Sequence, residues 1–533
     1  MNEQKTETLF TDGRAEAVSS CNYLTFTAEE DNASFSIENK TRIIPDVQYS
    51  LDKGATWNVL KKNTPIVLKN KGDCAWLKGY NPEGFSKDIK KAFTSFALTG
   101  RIAACGSVMS LIDGKGVAKV IPNDFCFARL FFHCVGLTQA PELPATTLSM
   151  GCYEGMFAVC TNLIRPPQLP ATILAKECYC GMFMECTSLT QAPELPATTL
   201  TVECYYGMFY KCSSLKQAPQ LPAPTLAKAC YYEMFRECTS LTQAPELPAT
   251  ILAEDCYYQM FWKCKSLTQA PELPATKLET FCYRDMFGGC INLTQAPELP
   301  ATILANRCYS GMFQSCTNLT QAPQLNAMTL DCFCYEEMFH DCTSLTQAPE
   351  LPATTLAQGC YYRMFRECTS LTQAPLLPAT KLERACYECM FEGCKSLTHA
   401  PELPATKMAK ECYYGMFDGC SGLKQAPQLP ATKLADECYR EMFRRCSSLT
   451  HAPALPAKKL YTQCYAWMFQ ECVSLTQAPE LPATTLAVEC YWGMFRECTG
   501  LVQIPSLPAA TLAMDCYKKM FEGCTGFSQT PVI

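Results

Sequence analysis

The 533-residue sequence predicts a repeat solenoid, with one short strand and one short helix per 26-residue unit, preceded by a small all-β sandwich. Two observations carry this. Of 38 cysteines, one series runs from Cys134 to Cys524 and a second from Cys126 to Cys516, each in steps of 26. A fixed period between 20 and 50 residues means stacked units that cannot bury their apolar face alone. The second observation is a change of pattern near residue 105, before which apolar and polar residues alternate as in half-buried strands.

Counting slots 1 to 26 from each cysteine of the first series gives 15 full copies, from Cys134 to Gly523, and a partial one from Cys524. Slots 4 to 10 (LTQAPEL in many copies) read as an extended segment, because prolines at slots 8 and 11 exclude a helix there. Slots 15, 19, 23 and 27, which are Leu148, Cys152, Met156 and Cys160 in the first copy, step by four and predict one buried helical face. The solenoid is expected over residues 106–533, starting with a degenerate repeat at Cys126, Phe127, Leu130, Phe131 and Cys134. Residues 21–105 form the sandwich and 1–20 a flexible tail. The partial last copy leaves a stack end where self-association is expected.

Net charge is −6, and the segments before and after residue 105 hold 14 basic with 13 acidic and 31 basic with 38 acidic residues. Neither has the basic excess of a nucleic-acid binder. No run of about 18 apolar residues suggests a membrane span, and Met1–Ser20 lacks the apolar core of a secretory signal.

Stacked cysteines point their side chains in parallel, which disfavours systematic disulfides, so the series reads as buried free thiols. Cys-x3-Met-x3-Cys resembles a soft-metal array, yet no close C-x2-C pair with histidine accompanies it. No metal or other cofactor is expected. Histidines are few (133, 340, 399 and 451), and no Ser/His/Asp set or phosphate loop appears, so no enzyme is expected.

The core M-F-x-x-C-x-x-L, as in Met156, Phe157, Cys160 and Leu163, resembles the A-F-x-x-C-x-x-L core of the BspA-type leucine-rich repeat. The longer form, with L-P-A-T and C-Y-x-x-M-F, is similar to a variant from gut Bacteroidetes. The resemblance covers about residues 106–533, with a period longer than the family norm. It implies a leucine-rich-repeat solenoid that serves adhesion or ligand binding at a bacterial surface. Residues 50–57, SLDKGATW, match the Asp-box pattern S-x-D-x-G-x-T-W, a structural hairpin in the families that carry it.

Comparing copies within the chain locates the expected recognition surface. Slot 20 is tyrosine in every full copy, a packing ladder, whereas slots 14, 17, 18, 21, 22, 25 and 26 vary freely. Aromatic and arginine side chains at variable exposed slots are the composition of recognition surfaces. The candidates are Tyr206, Tyr232, Tyr258, Trp262, Tyr362, Trp467 and Trp492, with Arg236, Arg366 and Arg440. Slot 14 holds Lys381, Lys407, Lys433 and Lys459 in successive copies, a candidate anion-binding row or a solvated row partly neutralised by Glu383, Glu411, Asp436 and Glu437. Slot 9 is Glu in eight copies and is expected to face solvent, with binding of a cation such as calcium as the alternative, since adjacent buried carboxylates are costly. The expected function is non-enzymatic binding of a protein or glycan. A phage virion component that binds a receptor and an intracellular scaffold are the alternatives. The resemblance implies the cell surface; the virion is the other location.

Overall fold

A computed structural model describes residues 22–39, 45–87 and 93–527; the expected tail over residues 1–20 lies outside them. Eight strands come first: β1 (Leu24–Ala28), β2 (Ala33–Asn39), β3 (Gln48–Ser50), β4 (Asn58–Val59), β5 (Ile66–Leu68), β6 (Cys74–Lys78), β7 (Thr94–Thr99) and β8 (Ile102–Cys105). A four-residue helix, α1 (Ser110–Asp113), and β9 (Leu137–Gln139) follow. One sheet has the order β4-β3-β6-β1-β8-β9 and the other β5-β2-β7. Phe26 of the first meets Phe35 and Phe96 of the second at 5.2 and 5.1 Å between ring centroids, so the two share a core. The alternation legible in the sequence is the inward face of these strands. The turn after β3 is closed by Asp52, whose carboxylate accepts from the Thr56 N–H at 2.8 Å and the Thr56 hydroxyl at 2.6 Å. The bond from the Ser50 hydroxyl first, and then those from Thr56, favour the ionised form and pull the Asp52 pKa down to about 2.

β9 belongs to the first repeat and pairs in parallel with β8, so the sheet runs straight into the repeats. Beyond it the strand expectation holds only in reduced form. Later copies pair through single parallel bridges at slot 6, such as Gln191 with Gln217 and His399 with Gln425, and at slot 14, such as Lys407 with Lys433. Proline at slots 8 and 11 has no N–H to donate, which interrupts a continuous ladder.

The expected helix at slots 15 to 27 is absent from every described copy. In its place runs a chain of overlapping four-residue turns. Within the first copy Cys152, Glu154, Met156, Ala158 and Cys160 donate their N–H to the carbonyl three residues back. The intervening residues Gly151, Tyr153, Gly155, Phe157 and Val159 donate to Lys176, Cys178, Cys180, Met182 and Met184 of the next copy. Every second N–H thus closes a local turn and every other one reaches the neighbouring coil. An α-helix would spend all of them on itself. The geometry requires positive φ at slots 18, 22 and 26 in every full copy, with φ between 50° and 64° at the non-glycine residues. That is the third position of turns needing a left-handed residue. The step of four is therefore real but belongs to turns: slots 19–20 and 23–24 point inward, 21–22 and 25–26 outward.

The inward pairs stack along the chain. Tyr153 to Tyr179 is 5.8 Å with planes 4° apart, and Phe157 to Phe183 is 5.7 Å at 6°, a pattern repeated to Tyr517 and Phe521. A left-handed residue costs about 1–2 kcal/mol, whereas each buried Phe, Met or Leu contributes about 1.5–3 kcal/mol. Burial outweighs strain in each coil, and the inter-coil hydrogen bonds add to it.

The first-series cysteines are free and engaged. Cys160 Sγ donates to the Phe131 carbonyl at 3.0 Å, and the same bond to the phenylalanine 29 residues back recurs down to Cys524 and Phe495. The start of the stack imitates this: Cys134 Sγ donates to the carbonyl of Phe96 in β7 at 3.1 Å, and the Phe96 ring lies 5.4 Å from Phe131. The β module thus offers the first coil the contacts that a preceding coil would offer.

Two outcomes follow from this packing. Ala385 sits at φ 53°, so Ala385→Gly is expected to raise the unfolding free energy measured in urea by about 1 kcal/mol, whereas Ala385→Val lowers it. A drop with glycine would contradict the strain argument. Burial pushes the Cys126 and Cys212 thiols up to about 12, which suppresses the reactive thiolate. Native protein should therefore label rapidly only at the half-buried Cys74, Cys105 and Cys332 among the described cysteines, slowly at Cys180 and Cys524, whose thiols burial also pushes up, and at the rest after denaturation. Complete labelling of the native state, read by mass spectrometry, would exclude the buried-thiol core.

Candidate recognition surfaces

The turns create two outward ridges per coil, at slots 21–22 and 25–26, and stacking converts each into a row along the chain. Every residue expected on the recognition surface lies on these rows, and every one is half-buried. They fall into three patches separated along the stack.

The first joins Tyr206, Tyr232 and Tyr258. Their rings stack at 4.5 and 4.4 Å, closer than the rings of the core ladder. Beside them Arg236 bonds Glu233 and, at 2.6 Å, Gln259, while its guanidinium lies 4.4 Å from the centre of Trp262. Partial burial pushes the Tyr206 phenol up to about 12, so the row stays neutral and donates hydrogen bonds at ordinary pH. The second patch is Tyr362, with Arg363 at 4.7 Å from its ring, and Arg366 held by Glu392 at 2.9 Å. The third brings Trp467 and Trp492 to 4.3 Å, with Arg440 4.8 Å from the Trp467 ring and bonded to Glu437 at 2.9 Å. The arginines are therefore tied to acids on the same face. What the ridges present to a partner is mainly aromatic.

The large outward rings are seated by a feature the slot reading missed. Trp262 is followed 26 residues later by Gly288, and Trp467 by Gly493. A Cβ on either glycine would lie 2.8 or 2.5 Å from the indole, so the next coil can carry no side chain beneath that ring. Phe125 with Gly151 and Phe333 with Gly359 repeat the device. A second omission is Asp418, only 3% exposed, which accepts from two N–H groups of Arg444 at Oδ2 and from one of Arg445 at each oxygen, the closest at 2.6 and 2.8 Å. Both signals were present as residue pairs one period apart.

On the Pro-rich side the exposed slots are 9, 11, 13 and 14, with 8, 10, 12 and 15 buried in most coils. All eight slot-9 glutamates face outward as expected. The prolines of adjacent coils frame shallow troughs, one of ≈ 460 Å³ between Pro245, Pro248, Pro271 and Pro274. Lys381, Lys407, Lys433 and Lys459 are exposed in one row on this side. Among the described residues no group of three or more His, Cys, Asp or Glu is arranged to hold a metal, and no helix is long and apolar enough to cross a membrane.

Compared with known families, the chain matches the model of the BspA type leucine rich repeat region, in overlapping stretches at residues 128–268, 176–320, 229–372, 310–450 and 361–501. No curated protein and no solved structure matches the chain.

The ridges also carry a titrating group. Burial, reinforced by Glu411, pushes the Glu388 carboxyl up to about 7. Between its ordinary value near 4.5 and about 7 the folded chain holds a proton that the unfolded chain has released, so stability falls as pH rises through this window. Glu388→Gln is expected to raise the melting temperature at pH 8 and leave it unchanged at pH 4. Equal effects at both values would show that Glu388 does not titrate in this way.

Proposed function

Because the chain belongs to the BspA-type leucine-rich repeat family, we propose that it is a non-enzymatic adhesion protein whose repeats form one long solenoid displaying a ligand-binding ridge at a cell surface. With neighbouring coils about 4.8 Å apart, fifteen copies extend roughly 70 Å, enough for a broad interface. In this reading residues 21–105 are a sandwich domain that caps the first coil, with its Asp-box hairpin as a structural clip, and residues 106–533 are the binding array. The observation that carries the proposal is the Tyr206–Tyr232–Tyr258 stack with Trp262 beside it. Rigid, half-exposed aromatic rings bring large contact area at little entropic cost. A protein loop or a glycan fits such a platform.

One observation favours a second reading. The cysteines are free thiols, and a chain folding in a reducing compartment keeps them so; that suits a virion component or an intracellular scaffold. Burial of the two series shields them in any compartment, so adhesion remains the first reading.

The test is binding to arrays of extracellular proteins and glycans, comparing the natural chain with a Tyr206→Ala, Tyr232→Ala, Tyr258→Ala variant. Truncating central aromatics typically weakens an interface by about 2 kcal/mol or more each, so the variant should lose at least tenfold in affinity. A ligand held equally well by the variant would remove this ridge from the proposal. Absence of any ligand would remove adhesion.

A further inference from the structure

The strip from slot 9 to slot 14 is uneven in charge. In the nine coils from Cys134 to Glu367 these outward slots hold six carboxylates, at residues 142, 194, 246, 272, 298 and 350, and one ammonium, Lys277. In the next four coils they hold five ammonium groups, Lys381, Lys407, Lys433, Lys458 and Lys459, and one carboxylate, Glu402. Slot 9 becomes Leu376, Gln428 and Ala454 in the other three. Acids are withdrawn where the lysines arrive.

The structure also shows that the row is poorly neutralised. Among the described residues none of Lys381, Lys407, Lys433 and Lys459 forms an ion pair. Three of the four acids expected to compensate them are engaged elsewhere. Glu411 pairs with Arg384 at 2.9 Å and Lys410 at 3.3 Å, Glu437 with Arg440 at 2.9 Å, and Asp436 accepts from the Thr462 N–H at 3.1 Å. Bridges of Lys381 to Thr355 and of Lys459 to Thr485 mark where the charged rungs give way to neutral ones. Within the same coils a trough of ≈ 310 Å³ opens between Pro401, Pro404, Pro427 and Pro430, with Glu402 and Gln428 on its lining.

We propose that this strip binds a linear polysaccharide bearing one carboxylate on each sugar. The proposal rests on the reading of the stack as a non-enzymatic binding surface and adds a second site on its other side. The argument is one of sign and floor. Five ammonium groups on four successive coils, with one carboxylate among them, call for a polyanion. A polyuronate carries a carboxylate on every pyranose together with ring faces and hydroxyls that the trough can engage, whereas an acidic peptide brings the charge without them. Duplex nucleic acid carries a charge about every 1.7 Å of axis, and single strands need aromatic platforms that these slots lack. The proline trough offers an apolar floor to a sugar face, and the Gln428 amide a partner for its hydroxyls.

Polygalacturonate titrated into the full chain by calorimetry tests this. Binding is expected at low salt, falling on the order of ten- to a hundredfold between about 50 and 200 mM salt as counterion release at four lysines requires. Replacing Lys381, Lys407, Lys433 and Lys459 by Gln should abolish it with an unchanged melting curve. The same variant should keep any ligand of the tyrosine ridge, so failure here and failure of the adhesion reading are distinguishable. No binding by the natural chain, full binding by the variant, or polyglutamate binding as tightly as polygalacturonate would each overturn the proposal.

Discussion

The alternation of backbone hydrogen bonds is the constraint on which the rest of the molecule depends. On the turn side each coil donates half of its N–H groups to itself and half to its neighbour. No coil can satisfy its backbone alone, and unsatisfied buried N–H groups are costly. The side chains follow this division: inward pairs form the Tyr and Phe columns, outward pairs the ridges. The left-handed residues are the local cost of turning the chain every four residues, and they lie at the same slots in every full copy.

Stacking at a fixed step converts single substitutions into column properties. Some outward rings are seated over a glycine 26 residues later, as Trp467 is over Gly493, others stack ring on ring, as Tyr206, Tyr232 and Tyr258 do, and Asp418 at slot 25 holds Arg444 one period on. The ridges are thus neighbour-coupled rows. Contacts along such rows join two or three coils at a time, and the aromatic groups form separate patches.

Much of this was legible in the sequence. The 26-residue period, the thiol columns, the constant slot-20 tyrosine and the free variation of slots 14, 21, 22, 25 and 26 identified inside and outside correctly. The helix was not legible in its true form, because inward pairs spaced by four fit a helical face and a succession of tight turns equally. Only the demand for positive φ separates them, and Glu177, Lys211 and Arg445 at those positions give no glycine signal. Strand pairing was overestimated because prolines remove the donors a ladder needs. The candidate residues all lie on outward rows, but their division into patches and the pairing of the arginines depend on contacts one period apart.

The imitation of a coil by Phe96 and β8 has a consequence for how such a chain changes length. Since the first coil meets a stand-in for a preceding copy, and each later copy meets its equivalent, removing or duplicating one whole 26-residue segment keeps the core contacts at every junction and re-pairs only the outward rows. A gain or loss of any other number of residues puts a thiol opposite the wrong carbonyl and a ring opposite the wrong column. Genetic drift in this molecule is therefore quantised: the array grows or shrinks by whole turns, and each such event slides the aromatic patches and the lysine rungs apart or together by one fixed increment.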